Sequence, residues 1–196
     1  VNLLLENWRS YLKEGMKRAE DIGHAVVEDE RHRIIIKIYN SRVDDRPQKI
    51  GQIYCMLLDD DNPEWDEEDR IEDQSIECYN DVWVVGNVNA KQGFGPLLYD
   101  MALEYIYDER GGVMMSGGHG ESTGDVKEAA AKVWQYYFKN RSDVYKVKDH
   151  RCSDILSPWI LKNPQLKPYL EALMHVYYKD KDILYDLEDE EKIEYR

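Results

Sequence analysis

The residues best placed to do chemistry lie in a single turn. Val82 to Ala90 reads as a strand and Leu97 onward as a helix, with Lys91, Gln92, Gly93, Phe94, Gly95 and Pro96 between them. Two glycines one residue apart let a backbone approach an anion closely, and the free N–H groups and positive dipole end of the following helix favour phosphate there. The same residues also suit an ordinary tight strand-to-helix turn. The turn is not a dinucleotide-binding fingerprint, because Leu98 stands at the third glycine position, and it is not a P-loop, because no Gly-Lys-Ser/Thr follows.

Other chemistry-bearing groups are weaker in pattern. His119-x-Glu121 lacks the later Pro-Cys-x-x-Cys of a zinc deaminase. Ser116, Ser122 and Thr123 lack a nucleophile elbow and suit caps or turns. Asp59 to Asp61 lacks the spacing and glycine of a calcium loop. Cys55, Cys78 and Cys152 are odd in number and widely spaced, which points to neither a disulfide framework nor a cysteine zinc site. No metal is expected, and the compartment is read as reducing.

The elements that must position the turn follow from periodicity. Leu4, Leu5, Trp8, Tyr11, Leu12 and Met16 recur at helical spacing, predicting an amphipathic helix over residues 2 to 20. His24 to Glu28, Arg33 to Tyr39 and Ile50 to Leu58 read as three strands of an antiparallel meander. An acidic loop spans Asp59 to Asp81, and Val82 to Val88 is apolar enough for a strand buried on both faces. Leu97, Leu98, Met101, Ala102, Tyr105 and Ile106 form one helical stripe, stopped by Gly111 and Gly112. Val113 to Met115 is a short strand, followed by the glycine-rich loop Gly117 to Gly124.

A helix capped by Asp125 aligns Val126, Ala130, Val133 and Tyr137, and Val144 to Val147 makes a last strand. Beyond Pro158, Pro164 and Pro168, a helix is expected with Tyr169, Leu170, Leu173, Met174 and Tyr177 inward, then an acidic tail from Asp180 to Glu194. At 196 residues this is one domain with appendages: a helix at 1–22, a core at 23–150, and a helical extension with acidic tail at 151–196.

The formal net charge is -14, from 40 acidic and 26 basic residues. That field repels nucleic acid and anionic headgroups, and fits a cationic substrate or partner. No apolar run approaches the roughly 20 residues needed to span a bilayer, and the N-terminal residues lack a signal-peptide pattern, so the expectation is a soluble, cytoplasmic protein. Fifteen Tyr and five Trp against two Phe suggest many aromatic side chains at a core edge or lining a cleft.

The order meander, Gly93-x-Gly95 turn, helix, strand, helix, strand resembles the GNAT (GCN5-related N-acetyltransferase) superfamily, whose turn reads Gln/Arg-x-x-Gly-x-Gly/Ala. Here Ala90 stands at the first position. Ala130-Ala131-Lys132-Val133-Trp134 is similar to the family's Ala-x-x-Leu-Tyr, with Trp for Tyr. The run Lys91 to Val147, with Arg141 to Val144 and the Tyr-rich segment Leu173 to Tyr178, resembles GNAT-like proteins of phages.

The resemblance implies an α/β (α+β) fold with a mixed, mostly antiparallel sheet flanked by helices, plus extra N- and C-terminal helices. Its central strand would bulge and splay from its neighbour to admit the pantetheine arm of acetyl-CoA or another acyl-CoA. It implies acyl transfer to an amine acceptor, with Val85, Val88, Ala90, Lys91, Gln92, Gly93, Phe94, Gly95 and Pro96 binding the acyl donor. Trp134 is no acid near neutral pH, so Tyr136, Tyr137 or water would protonate the thiolate. His119 is a candidate base, ahead of Glu77 and Asp81, since no Glu lies on Val82 to Ala90.

Ala90, Trp134, the acidic surface and the added helices also suit a catalytically inactive GNAT-fold interaction protein. Such a protein would have a protein partner and reside in the virion or host cytoplasm of a phage. A DNA-mimicking inhibitor would need regularly spaced carboxylates, which the clustered acidic runs do not offer.

Overall fold

The computed structural model describes residues 17–40, 47–57, 82–116, 128–148 and 163–196. The predicted N-terminal helix, the acidic loop, the glycine-rich loop and the segment of Pro158 fall outside them, apart from a 3-10 turn at Ala19–Asp21.

The fold is mixed α/β, built on one eight-stranded sheet. Strands β1 (His24–Glu30), β2 (Arg33–Tyr39), β3 (Lys49–Leu57) and β4 (Val82–Ala90) form an antiparallel meander. Alternation explains its buried face. Ile34, Ile36 and Ile38 on β2 and Ile53, Cys55 and Leu57 on β3 are buried, while the residues between them are only partly covered.

Helix α1 (Gly95–Arg110) packs on that face, so closely that a Cβ on Gly51 would stand 2.9 Å from Leu98. The helix ends at Gly111 in the left-handed conformation, φ 62°, where the paired glycines predict a stop. The chain returns as β5 (Val113–Met115), parallel to β4.

Helix α2 (Glu128–Asn140) leads to β6 (Tyr145–Lys148). A 3-10 turn at Pro164–Tyr169 and one turn of helix, α3 (Leu170–Leu173), lead to β7 (His175–Tyr178). Strand β7 inserts between β5 and β6, antiparallel to both. Helix α4 (Ile183–Asp189) then packs on α1, and β8 (Ile193–Tyr195) adds to the far edge, parallel to β1. The strand order is β6-β7-β5-β4-β3-β2-β1-β8.

Three expectations are corrected here. The helix predicted through Tyr177 stops after Leu173, because Val176, Tyr177 and Tyr178 suit a strand and β5 offers them an edge; Met114 pairs with Tyr177. The segment read as an acidic tail is structured. Leu184 and Leu187, three residues apart, are fully buried, and β8 pairs with β1 through bonds such as Ala25 N–H to Lys192 O, 2.7 Å. Strand β4 is buried on both faces only at Val82 to Val84; from Val85 onward it is partly or fully exposed.

The first three turns of α1 are buried all round. Every residue from Pro96 to Ile106 is covered, where a single apolar stripe was expected. The charged residues of that span are therefore paired internally. Asp100 accepts two hydrogen bonds from the Arg141 guanidinium (3.1 and 3.0 Å) and one from the Tyr137 hydroxyl (2.6 Å). Glu104 accepts from Lys179 and, at 3.0 Å, from the Leu184 backbone N–H. Both residues lie in the core with none of their surface exposed.

Leu187→Ala tests the integration of the C-terminal segment. Removing a fully buried leucine from a packed site costs about 2–5 kcal/mol, whereas the same change on a solvated tail costs under about 0.5 kcal/mol. Chemical denaturation of the variant is expected to show the larger loss.

Candidate functional site

Beside the glycine turn, β4 outruns its pairing with β5 among the described residues. Strands β4 and β5 pair through three rungs, Val82 with Val113, Trp83 with Met114 and Val84 with Met115, and β5 ends there. Strand β4 continues for six more residues. Among the described residues no strand pairs with its β5-side edge beyond Val84.

On its other side β4 carries a bulge. Tyr54 pairs with Asn87 and Cys55 with Val85, which leaves Gly86 as the extra residue. Packing explains the residue type, since a Cβ on Gly86 would lie 2.8 Å from the Tyr54 ring and 3.1 Å from the Met56 methyl. The bulge resets the alternation so that Val85 and Val88 register with the inward-facing Cys55 and Ile53.

The turn joins β4 to α1 compactly. Lys91 N–H donates to Ile50 O at 2.7 Å and Phe94 N–H to Lys91 O at 3.1 Å. Gly93 has φ 85°, a left-handed conformation that strains any residue bearing a Cβ. Phe94 precedes the helix and its side chain makes no capping bond, so the first-turn N–H groups of Gly95 and Leu97 receive no cap from the N-cap residue. Gly95 faces open space, with nothing within 4 Å of an added Cβ.

Three lysines surround this corner. Lys17 lies against Gly93, with its ammonium 5.9 Å from the centre of the Phe94 ring and 3.4 Å from Asp21. Lys91 reaches the Gln48 side chain at 2.9 Å, and Lys49 reaches Gln52 at the same distance. Lys49 and Lys91 border an open hollow of about 370 Å³ over the ends of β3 and β4, with Gln52, Asn87 and Asn89 also lining it. In a chain of net charge -14 this corner is locally cationic.

The predicted proton donors sit differently. Trp134 and Tyr137 are enclosed, 1% and 0% exposed, among Tyr99 and Tyr177. The Tyr137 hydroxyl reaches the first turn of α1, 3.3 Å from Pro96 O, but donates its shorter bond to Asp100. Its proton is engaged in holding α1 to α2. Tyr136 is only partly buried and packs edge-on to Tyr137. Burial opposes the charge on Arg141, yet the hydrogen bonds to Asp143 and the charge of Asp100 outweigh it and raise its pKa; the Arg141 bond in turn lowers that of Asp143. Burial pushes the Cys55 thiol and the Tyr177 phenol up, which removes both as neutral-pH nucleophile or acid.

The geometry thus brings Val85, Val88 and Ala90 to Pro96 together beside a strand gap, and leaves Trp134 and Tyr137 in the core. His119, Glu121, Ser122, Thr123, Asp125, Glu77, Asp81, Cys78 and Cys152 lie outside the described residues. Among the described residues no group of three or more His, Cys, Asp or Glu side chains is placed to hold a metal ion, and no helix is long and apolar enough to cross a membrane.

Sequence reasoning missed Lys17 and Lys49, because they reach the turn from distant segments. It also misread Ser116, expected at a cap or turn, whose hydroxyl is buried and bonded to nothing. Comparison with protein-family models, with curated proteins and with solved structures finds no match.

The two glycines are separable. Gly93→Val is expected to lose about 1–2 kcal/mol of stability through its left-handed backbone. Gly95→Val, with helical backbone and open space around it, should stay within about 1 kcal/mol of the parent. Equilibrium unfolding of the two variants checks the difference.

Proposed function

We propose that the chain is an N-acyltransferase of GNAT-like architecture that transfers an acyl group from acetyl-CoA or a related thioester to an amine. One observation carries this reading: among the described residues β4 and β5 pair over only three rungs, and β4 runs on past them to a helix start that its N-cap residue, Phe94, does not cap. The bulge at Gly86 and the meander, helix, parallel strand order are what the family resemblance calls for.

The residues present fit such a donor. The backbone of Val85 to Ala90 offers N–H and C=O groups on an edge without a strand partner among the described residues, able to pair with an extended chain of amides. The first turn of α1 and the left-handed Gly93 offer N–H groups to an anion. Lys17, Lys49 and Lys91 add positive charge around that corner.

Acyl transfer needs a neutral amine that attacks the thioester carbonyl, so that a C–N bond forms, the C–S bond breaks, the amine loses a proton and the thiolate gains one. Amides of Val85 to Val88 facing the gap would polarise the carbonyl. Of the two tyrosines proposed to serve the thiolate, Tyr136 is the less buried. No carboxylate lies on β4 to act as base.

That last feature, with Tyr137 committed to Asp100, favours a second reading: a protein of the same architecture that binds acyl-CoA, or a protein partner, without transfer.

Calorimetry with acetyl-CoA and coenzyme A separates the readings. One-to-one binding to the parent is expected, weakened about tenfold or more, equivalent to about 1.4 kcal/mol, by Gly95→Val, whose new side chain occupies the space beside the helix start. Thiol release with polyamines and lysine peptides then reports transfer. Binding without release supports the second reading, and no heat at millimolar ligand removes both acyl-CoA readings.

A further inference from the structure

Strand β5 ends at Met115, and the next residue is Ser116. It is 1% exposed, and its hydroxyl has no hydrogen-bond partner. A buried hydroxyl without a partner is costly, because folding has taken it from water and returned nothing. Native structures hold such groups rarely, and those they do hold call for a specific explanation.

Most of the other unpaired buried atoms of the described residues belong to groups paired through another atom. The Asp29 carboxylate is paired with Arg110 through both of its oxygens at 3.4–3.5 Å. His24 faces Glu194 through its other ring nitrogen. His32 and Arg33 have further partners. The Trp83 indole lies under the Arg110 guanidinium, 5.4 Å from the ring centre. That contact leaves the Trp83 N–H without an acceptor, so Trp83 and Ser116 are the two groups left unexplained, and of these Ser116 is the one at the end of β5.

Its position supplies the explanation. The last rung between β4 and β5 is Val84 with Met115, so Ser116 stands at the first step where the strands no longer pair, level with the start of the free edge at Val85. By alternation its side chain takes the face of Met114, the residue registered with Trp83. A short hydroxyl at the root of a gap between parallel strands can donate to an acceptor lying in the gap.

Resting on the acyltransferase reading above, we propose that Ser116 is a binding residue for the acyl donor, its hydroxyl donating a hydrogen bond to a carbonyl oxygen of the thioester arm. The ligand class is an extended amide or thioester chain, and the contact is with that arm and not with the phosphates held at Gly93 to Gly95.

Ser116→Ala tests this with two readouts. In the absence of ligand the melting temperature should stay level or rise, because the variant removes a hydroxyl that bonds to nothing; a fall of about 2 °C or more would give the hydroxyl an internal partner and overturn the proposal. In calorimetry the variant should bind acetyl-CoA about tenfold more weakly than the parent. Adenosine 3′,5′-bisphosphate, which lacks the arm, should bind parent and variant alike. Equal acetyl-CoA affinity in parent and variant rejects the role of Ser116 and leaves the acyltransferase reading standing. A parent that binds neither acetyl-CoA nor coenzyme A rejects both together.

Discussion

Helix α1 is held in the core by two carboxylates one turn apart, and the position of every other feature of the site follows from that. Asp100 is gripped by Arg141 and Tyr137 from α2 and the turn after it, Glu104 by Lys179 after β7 and by the N–H of Leu184 in α4. Two segments that are distant in sequence thus fasten one helix at two points. Buried ion pairs of this kind contribute little net stability over an apolar core, but breaking one leaves a buried charge and costs about 3–5 kcal/mol. Their effect is to specify one depth and rotation for α1, and hence where its first turn meets the end of β4.

That constraint explains why part of the fold was legible in the sequence and part was not. The meander, α1, its stop at Gly111 and the short β5 could be read locally, because each rests on a run of apolar residues with one period and a turn residue at its end. The C-terminal third could not. Leu173, Met174 and Tyr177 keep a helical spacing, yet His175 to Tyr178 pairs with β5 and β6, an outcome decided by an available edge. The acidic run from Asp180 hides Leu184 and Leu187, and its basic residues Lys179 and Lys181 are spent on pairs with Glu104, Glu109 and Glu188. Charge count predicts a tail; pairing makes a wall.

The candidate site divides the same way. Gly93-x-Gly95 was visible because a turn is a local object, and its left-handed φ is a property of one residue. Trp134 and Tyr137 were placed on the right helix, but their burial depends on Tyr99 and Asp100 of α1 and Tyr177 of β7, which arrive from two other elements. Lys17 and Lys49 carry no pattern that would announce them, and a serine after an apolar triplet looks like punctuation until its surroundings are known.

A strand edge inside a sheet is expensive to leave unpaired, and among the described residues β4 has about 20 Å of it, six residues at about 3.3 Å each, beyond its last rung with β5. The sequence does not repair this by lengthening β5, which stops after three residues at a serine whose hydroxyl is likewise unpaired. It adds a bulge at Gly86, beyond which β4 resumes its pairing with β3, and polar residues, Asn87 and Asn89, on the strand's exposed face. The first turn of α1, in a helix fixed by Asp100 and Glu104, follows the end of that edge and receives no cap from the Phe94 side chain. On the proposed reading, the β4 edge, the helix start and the Ser116 hydroxyl would supply donors to one ligand. Their shared deficit is what an extended ligand with amide groups at one end and an anion at the other would satisfy.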